Sequence, residues 1–554
     1  MSSHSDLLAA RITAALQARI DQGELTCAIP EIITLERPKN RDHGDYSSSI
    51  ALQIAKESGR SPREIAALLK EDLESLQEVA SVEIAGPGFI NITLDRASQA
   101  DIVRQIREQG EMFGHSAFFS GVDINLEFIS ANPTGPLHLG HTRWAAVGDA
   151  LGRVLSAAGA TVTREFYIND RGNQMDLFGA SVQAAANGQP IPENGYQGAY
   201  ILDLAKVIVA DDPEILNLRI DEQLIEFRER AYLAQLKDQQ RVLEIFGTKI
   251  DIWFSERTLH SSGAVTHGLD KLRKQGHVFE LEGATWLRTT DFGDDKDRVL
   301  VKSGGELTYF ASDTAYYINK RERGFEICIY MLGADHHGYV NRLKSIAACA
   351  GDDPEYNIHV LIGQLVKIIE GGEEVKLSKR AGTIITLEDL VEKVGVDAAR
   401  YTLIRYPVDT PMVLDVDVLK KRTNDNPVYY VQYAHARIAG VLRNAQDMNV
   451  PHALGDFEPG LLAHDRENEL LGALAEFPRV VQGAAELREP HRVARYLEEL
   501  AGVYHRFYAD CRVLPLGDEP IKPIHSARAN LSAATKQVLG NGLQLLGVGA
   551  PERM

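Results

Sequence analysis

Two histidines three residues apart, His138 and His141, lie in a stretch rich in glycine and proline, Ala131 to His141. The stretch stands between a strand-like segment, 121–130, and a helical pattern that begins at Thr142. In an open α/β sheet ligands bind at such turns, and the N–H groups of a helix N-terminus favour a phosphate. The pattern therefore predicts a nucleotide-phosphate site. A metal site is less favoured because no third ligand is nearby in sequence, while purely structural hydrogen bonding fits the isolated motif equally well.

A second cluster of candidate residues carries positive charge. Lys376, Lys379 and Arg380 fall within one short stretch at the end of a predicted hairpin, 361–378, which turns at Glu370–Glu373. Lysine ammonium groups bind nucleotide phosphates as point charges, and a loop can bring them in as charge develops on a leaving pyrophosphate. For this stretch taken alone, an exposed basic turn is the better interpretation.

Together the two loops resemble the signature motifs of class I aminoacyl-tRNA synthetases, His-Ile-Gly-His and Lys-Met-Ser-Lys-Ser. The resemblance narrows to the arginyl-tRNA synthetase family through segments spread over nearly the whole chain: Gly44–Tyr46, Gly86–Asn91, Glu127–His141, Tyr309–Asp313, Gly333–Gly338, Asp397–Arg400 and Ala550–Met554. Some family members lack the second lysine of the basic loop and carry a lysine before the histidine motif instead. This chain has Lys379 in place and Gly135 at the other position. The departures Leu139, Leu377 and Arg380 remove no charge that the chemistry needs.

The resemblance implies a reaction and the residues that carry it. ATP and L-arginine form arginyl-adenylate and pyrophosphate, in a step that requires bound tRNA in this family, and the arginyl group then passes to the terminal adenosine of the tRNA. Magnesium accompanies ATP, held chiefly by phosphates and water. The catalytic residues implied are His138, His141, Lys376 and Lys379. The implied ATP contacts are Pro133, Thr134, Gly135, Leu139, Gly140, Ser378 and His337. The implied arginine contacts are Glu127, Asn132, His138, Tyr309 and Asp313, and the implied tRNA contacts are Tyr429, Tyr433, Arg437 and Met554.

The chemistry of an arginine site agrees with part of this set. A guanidinium is planar and always charged, so carboxylates suit it best, and Glu127 and Asp313 supply two. One acid can neutralise the α-ammonium group and the other can take the side chain, but the sequence does not divide these roles. Glu127 alone fits equally a strand-end acid paired with a structural arginine. Asp335, His336 and His337 are expected to contact ATP or arginine, with exposed turn residues as the alternative.

The surrounding elements predict a multidomain α/β protein. Strand, loop, helix and strand between 121 and 168 form a βαβ unit and hence a parallel sheet, which the resemblance makes a Rossmann-like catalytic domain. Residues 175–275 are predicted to be mainly helical, and the helices 427–447, 464–487, 491–510 and 526–546 form an all-α bundle. We expect an N-terminal α/β domain at 1–110, a catalytic domain at 111–405 with an insertion at about 175–300, and a helical domain at 406–554. The resemblance implies that the N-terminal domain touches the tRNA elbow and that the C-terminal helices read the anticodon.

Composition limits which binding partners and which cellular compartment we expect. The 554 residues include 59 Lys and Arg against 78 Asp and Glu, a net charge of -19, which argues against a general nucleic-acid or membrane coat. Residues 400–443 nevertheless carry 7 basic and 4 acidic residues, so local, salt-sensitive tRNA binding is expected there. No apolar run is long enough to span a membrane. The four cysteines are far apart in sequence, so neither zinc nor disulfides are expected. We expect a cytoplasmic monomer.

Two other functions remain open from the sequence. A nucleotidylyltransferase shares a His-x-Gly-His loop on a related fold, but it does not need the long C-terminal helical region. A synthetase-like tRNA-binding protein without activity would usually have lost the signature residues, and here both loops are intact. A cysteinyl-tRNA synthetase is disfavoured because its zinc-ligand cysteines are absent.

Overall fold

The computed structural model describes residues 4–38, 43–375 and 385–554. The basic loop predicted to bind pyrophosphate, with Lys376, Ser378 and Lys379, lies outside these residues. The N-terminal part is an antiparallel sheet of order β1-β2-β4-β3 with three helices on it, followed by two short helices. Its elements are α1 (His4–Asp21), β1 (Leu35–Glu36), β2 (Tyr46–Ser48), α2 (Ile50–Ser58), α3 (Pro62–Glu74), β3 (Val79–Ala85), β4 (Phe89–Leu94), α4 (Arg96–Ala100) and α5 (Ile102–Gln109).

Local sequence explains these elements. Ser61 accepts a hydrogen bond from the Glu64 N–H while Glu64 caps Ser61 in return, and Pro62 sits at the first helical position, so α3 begins there. Gly86 and Gly88 both have positive φ and turn β3 into β4, as the Gly-Pro-Gly sequence predicted.

The middle part of the chain is built on a five-stranded parallel sheet of order β12-β11-β5-β6-β7. A separate antiparallel sheet, β10-β9-β8, lies between its halves in sequence. The elements are β5 (Asp123–Glu127), α6 (Leu139–Ala157), β6 (Thr161–Ile168), α7 (Asn173–Ala186), α8 (Ala199–Asp211), α9 (Ile220–Ile245), β7 (Ile252–Ser255), α10 (Glu256–Ser261), α11 (Ala264–Gln275), β8 (Val278–Leu281), β9 (Ala284–Leu287), β10 (Arg298–Val301), α12 (Tyr309–Glu322), β11 (Ile327–Gly333), α13 (Val340–Cys349) and β12 (Ile358–Gly363).

The predicted βαβ unit is confirmed, and two details differ from the sequence patterns. Residues 175–275, predicted to be mainly helical, also contain β7, whose four residues pair with β6 at the sheet edge. So short an apolar run among helices has no period of its own to reveal it. The helix predicted from Thr142 begins at Leu139, because the side chain of His138 caps it.

The remaining elements form a small sheet and the helical bundle. The linker proposed at 406–417 contains a strand that pairs in parallel with the predicted hairpin, and the helix predicted at 464–487 is divided at Glu476, just before Pro478. The elements are β13 (Val366–Glu370), β14 (Glu373–Glu374), α14 (Leu387–Val394), α15 (Val396–Ile404), β15 (Met412–Asp415), α16 (Val416–Leu419), α17 (Pro427–Asp447), α18 (Asp465–Ala475), α19 (Phe477–Glu486), α20 (His491–Asp510) and α21 (Pro523–Leu545).

One hydrophobic core joins the parallel sheet to the bundle: Leu126 of β5, Leu151 of α6 and Leu539 of α21 belong to the same buried cluster. The multidomain α/β fold predicted from the sequence is confirmed. Among the described residues, no helix is both long and apolar enough to cross a bilayer.

Candidate active site

The strand order places a crevice at the carboxyl edge of the parallel sheet. From β5 the chain moves outward to β6 and β7, and it later returns to the other side of β5 with β11 and β12. The order therefore reverses between β5 and β11, and open α/β sheets bind ligands at such a switch point. The loops that follow these two strands contain the histidine motif and the Gly333–Gly338 segment. Both segments were predicted from the sequence to bind substrate.

The loop after β5 leaves the strand through two left-handed residues. Ile129 has φ 72° and Ser130 has φ 43°, a region that a β-branched residue seldom adopts. The Ser130 hydroxyl donates to Glu127 Oε1 at 3.0 Å and accepts from the Tyr167 N–H at 3.2 Å. These bonds tie the turn to the ends of β5 and β6. Such strain persists where the surrounding structure enforces it, often at ligand sites.

The two predicted catalytic histidines begin α6 together. His138 Nδ1 accepts from the Gly140 N–H at 3.1 Å, and the His138 N–H donates to His141 Nδ1 at 3.3 Å. The imidazole rings stack with their centroids 3.9 Å apart. Both rings therefore lie at the N-terminus of a helix of 19 residues, where the helix dipole favours negative charge.

Helices from the 173–245 region hold the outside of the same loop. Gln239 of α9 donates to the carbonyl oxygens of Asn132 at 3.2 Å and Gly135 at 2.9 Å, and the Tyr200 hydroxyl of α8 donates to the Thr134 carbonyl at 3.1 Å. Of the predicted ATP contacts here, Pro133, Thr134 and Leu139 are buried, Gly135 is half-buried and Gly140 is exposed. A nucleotide would therefore meet mainly backbone at the buried positions.

The segment that follows the basic loop is anchored on the histidine loop. The Leu139 N–H donates to the Ile385 carbonyl at 3.2 Å, and the Leu387 N–H donates to the Leu137 carbonyl at 2.9 Å. An antiparallel bridge joins His138 and Thr386. The chain therefore returns from residues 376–384 directly beside the proposed phosphate site.

Two predicted arginine contacts, Tyr309 and Asp313, lie one turn apart at the start of α12. The Tyr309 side chain is 77% exposed, and its hydroxyl lies near Gly172 in the loop after β6. The Asp313 carboxylate accepts a hydrogen bond from the Tyr339 hydroxyl. Burial raises the pKa of Asp313 to about 7, the charges of Glu127 and Glu256 add to the rise, and the hydrogen bond from Tyr339 opposes it.

Glu256, which sequence reasoning missed, completes a set of acids at this edge. It follows β7 directly and is 5% exposed. Burial raises its pKa, Arg171 opposes the rise, and Asp170 adds to it. The available signal was an acid two residues after the apolar run Ile252–Phe254, but it could be used only once β7 was recognised as a strand. Acids whose pKa values are raised by burial and by one another are candidates for a functional site.

Glu127 is not free to move towards a substrate. Lys320 of α12 donates to its Oε2 at 2.5 Å, and Ser130 holds its Oε1. The alternative considered from the sequence was an acid paired with a structural arginine, and the actual partner is a buried lysine. Asn132, another predicted arginine contact, is exposed and donates to Gln174 Oε1 at 2.9 Å.

The segment after β11 forms a single 3₁₀ turn, Ala334–Tyr339. Asp335 and His336 form an exposed ion pair, 3.6 Å between Oδ2 and Nε2, and His337 is exposed beside them. Within the described residues no group of three or more His, Cys, Asp or Glu side chains is arranged to hold a metal.

The predicted tRNA contacts cluster on α17 and at the C-terminus. The rings of Tyr429 and Tyr433 stack with centroids 6.0 Å apart, and the Arg437 guanidinium lies 4.7 Å from the Tyr433 ring centroid. Tyr429 and the exposed Met554 line one cleft of about 590 Å³. The basic side chains on the same cleft are Lys393, Lys420, Lys421 and Arg422.

Three stretches of the chain each match a known protein family. Residues 6–94 match the family described as the arginyl-tRNA synthetase N-terminal domain. Residues 120–435 match the catalytic domain of class I tRNA synthetases of the arginine type. Residues 431–554 match the DALR anticodon-binding domain.

Curated relatives match along the full length. An arginine–tRNA ligase from Frankia alni is 56% identical over 547 residues, which cover 99% of each chain. One from Renibacterium salmoninarum is 55% identical over 552 residues, 99% of this chain and 100% of the other. Two solved structures share the fold over 100% of both chains: arginyl-tRNA synthetases from Thermus thermophilus (TM-score 0.76, 22% identity) and Plasmodium falciparum (TM-score 0.73, 16% identity).

Proposed function

Because this chain belongs to the arginyl-tRNA synthetase family it is an arginine–tRNA ligase, and we propose how its residues divide the work of that reaction. The observation that carries the proposal is the meeting of a helix N-terminus and a group of carboxylates at one switch point of the sheet. The first feature suits the phosphates of ATP, and the second suits a cationic amino acid.

In the first step the arginine carboxylate attacks the α-phosphorus of ATP and pyrophosphate leaves. Such a step needs in-line positioning and charge stabilisation rather than covalent chemistry from the protein. His138 and His141 contact the α-phosphate in the transition state, and Lys376 and Lys379 take the charge of the leaving pyrophosphate. Pro133, Thr134, Gly135, Leu139 and Gly140 line the nucleotide side, with Ser378 and His337 completing it. Magnesium enters with ATP, bound to its phosphates and water.

Arginine lies between the nucleotide loop and α12. Asp313 takes the guanidinium, since the charges of two other acids, Glu127 and Glu256, raise its pKa and a bound cation would offset them. Tyr309 and Glu256 border the same end of the substrate. Glu127 lies at the strand end that leads into the nucleotide loop, so it takes the α-ammonium group, with Asn132 beside it. This arrangement turns the α-carboxylate towards the phosphates.

The arginyl group then passes to the terminal adenosine of tRNA. Tyr429, Tyr433 and Arg437 offer stacked aromatic and cationic faces of the kind that unpaired bases bind, and Met554 borders the same cleft. We assign the RNA contacts to the domains at 1–110 and 406–554, with catalysis at 111–405. We also infer that the protein works in the cytoplasm as a monomer.

Exchange of labelled pyrophosphate into ATP tests the activity and its substrate together. The expected result is exchange that requires arginine and bound tRNA, and no exchange with lysine or citrulline. Exchange driven by another amino acid would overturn the substrate assignment. Nucleotide transfer without any amino acid would favour a nucleotidylyltransferase, and tRNA binding without either reaction would favour a non-catalytic protein.

The role of the basic loop is tested by Lys379→Ala. Since Lys379 acts on charge that develops in the transition state, we expect single-turnover adenylate formation to slow by about 10²–10³-fold while arginine binding changes little. Lys367→Ala, which removes an exposed lysine on β13, is the matched control and leaves both quantities unchanged. An unchanged single-turnover rate in Lys379→Ala would contradict the role.

A further inference from the structure

Four residues of α12 recur on one face of the helix: Tyr309, Asp313, Tyr316 and Lys320, spaced by four, three and four positions. The first two are predicted arginine contacts. Lys320 lies two turns beyond Asp313 and has 0% exposure, which is rare for a lysine. The reaction as described above assigns it no role.

The Lys320 ammonium is held by one carboxylate and two aromatic rings. It donates to Glu127 Oε2 at 2.5 Å, and it lies 3.8 Å from the ring centroid of Tyr330 and 4.4 Å from that of Tyr316. A desolvated cation over an aromatic face gains about 2 kcal/mol, and a buried charge needs a partner of opposite sign. These contacts therefore stabilise Lys320 in its charged form and hold its ammonium group in one position.

A second pair continues the same pattern deeper in the protein. Glu165 of β6 is the register partner of Glu127 of β5. It accepts two hydrogen bonds from Arg323, at 2.6 and 2.9 Å, and one from the Tyr316 hydroxyl. Glu127 is thus paired with Lys320 of α12, and Glu165 with Arg323, the residue that caps the end of α12. These two pairs fix both the rotation and the axial position of α12 on the sheet.

The ion pair with Lys320 makes the charge around Glu127 different from the charge around Asp313. Glu127 has Lys320 as its counter-charge, whereas the charges that act on Asp313 are those of Glu127 and Glu256, both negative. A cationic substrate has two positive ends, the guanidinium and the α-ammonium. A guanidinium donates through a planar fork, so it is directed to Asp313 and away from Glu127, whose two oxygens already accept from Ser130 and Lys320.

We propose that Lys320 is a positioning residue that orients arginine: it fixes and partly neutralises Glu127, so that the guanidinium goes to Asp313 and the α-carboxylate faces ATP. This inference rests on the proposed arginine site but not on the activity itself. Without Lys320, Glu127 would become a second strong site for the guanidinium, close to the nucleotide loop. Arginine would then bind in a reversed, unreactive orientation as well.

Kinetics of Lys320→Met separate this role from a purely structural one. Non-productive binding lowers kcat and KM together, so we expect at least an about tenfold lower kcat for arginine-dependent exchange, with a KM for arginine that is equal or lower. The KM for ATP should not change. A raised KM for arginine with unchanged kcat would overturn the proposal.

The double variant Glu127→Gln/Lys320→Met removes both buried charges and supplies the rescue test. Since a neutral amide does not compete for the guanidinium, the kcat of the double variant should exceed that of Lys320→Met, while its KM for arginine rises because the contact of Glu127 with the α-ammonium group is lost. A double variant no faster than the single one would show that Lys320 acts only by supporting the fold. Loss of activity in the unmodified protein with arginine, by contrast, would refute the ligase assignment and not this inference.

If Lys320→Met does not fold, the double variant is compared with the single variant Glu127→Gln instead. There the ammonium has lost its carboxylate and repels a cationic substrate, so adding Lys320→Met should lower the KM for arginine at pH 7. An unchanged or higher KM in the double variant would overturn the proposal. Arg323→Met, which breaks the deeper pair with Glu165, is the control for loss of helix anchoring alone and should not lower kcat and KM together.

Discussion

Asp313 is half-buried beside acids, and desolvation of its carboxyl together with the charges of Glu127 and Glu256 raises its pKa to about 7. Only the ionised form attracts a guanidinium. We therefore expect kcat/KM for arginine to fall as the pH is lowered from 8 to 6, with an apparent pKa near 7 for the free enzyme. The bound cation favours the carboxylate, so the pKa seen in kcat should be lower. Exchange kinetics across this range, with ATP saturating, measure both.

The same carboxyl opposes folding at high pH. Its pKa is higher in the folded protein than in the unfolded chain, so its contribution to stability is present at low pH and is lost as the pH rises through about 7. Asp313→Asn should therefore raise the unfolding midpoint more at pH 8 than at pH 5, while abolishing the pH dependence of arginine use. Asp203→Asn, in an exposed ion pair with Lys206, is the control. Equal shifts at both pH values would contradict a raised pKa.

At the scale of elements, α6 combines a structural cap with the proposed phosphate site. His138 Nδ1 caps the Gly140 N–H, a role that asparagine also fills well. His138→Asn should therefore keep the helix but lose the phosphate contact, with stability near wild type and kcat about 10²–10³-fold lower. His138→Ala should lose both and cost about 1 kcal/mol of stability as well. Thermal unfolding and exchange rates of the two variants separate the roles, and full activity in His138→Asn would exclude a contact of the imidazole.

Elements with a strong local signal could be predicted from the sequence. The Gly-Pro-Gly hairpin, β6 and the helix at 427–447 appear where their patterns placed them. β7 could not be predicted, because a strand of only four residues between helices looks like part of a helix, and Glu256 was missed with it. The sequence offered no sign of Lys320 either, since a lysine on a helix is normally solvated. Its burial depends on the packing of α12 against β5, which is a tertiary contact.

At the scale of the whole molecule, Arg400 joins the catalytic domain to the C-terminal helices. It has 0% exposure, donates to Asp149 Oδ2 of α6 at 2.6 Å, and donates to the carbonyl oxygens of Phe246 at 3.0 Å and Leu546 at 3.1 Å. Asp397, one turn earlier on α15, accepts from the Gly549 N–H at 3.0 Å. The Asp397–Arg400 segment, noted first as a family resemblance, thus holds the chain end after α21 against the helix that begins at the two histidines.

The contacts of Arg400 should decide whether the catalytic domain and the C-terminal helices unfold together. Arg400→Met leaves the Asp149 carboxylate buried beside fewer cations, and removing one partner of a buried pair costs about 3–5 kcal/mol. We expect a correspondingly lower free energy of unfolding, with the bundle melting before the catalytic domain. Lys536→Met, which breaks a solvent-exposed ion pair with Glu552 near the same chain end, should cost at most about 1 kcal/mol. Denaturant unfolding followed by hydrogen exchange of α6 and α21 measures both effects.

Equal losses of stability in the two variants would mean that Arg400 contributes no more than a surface charge. A single cooperative transition in Arg400→Met would mean that the hydrophobic core alone joins the domains.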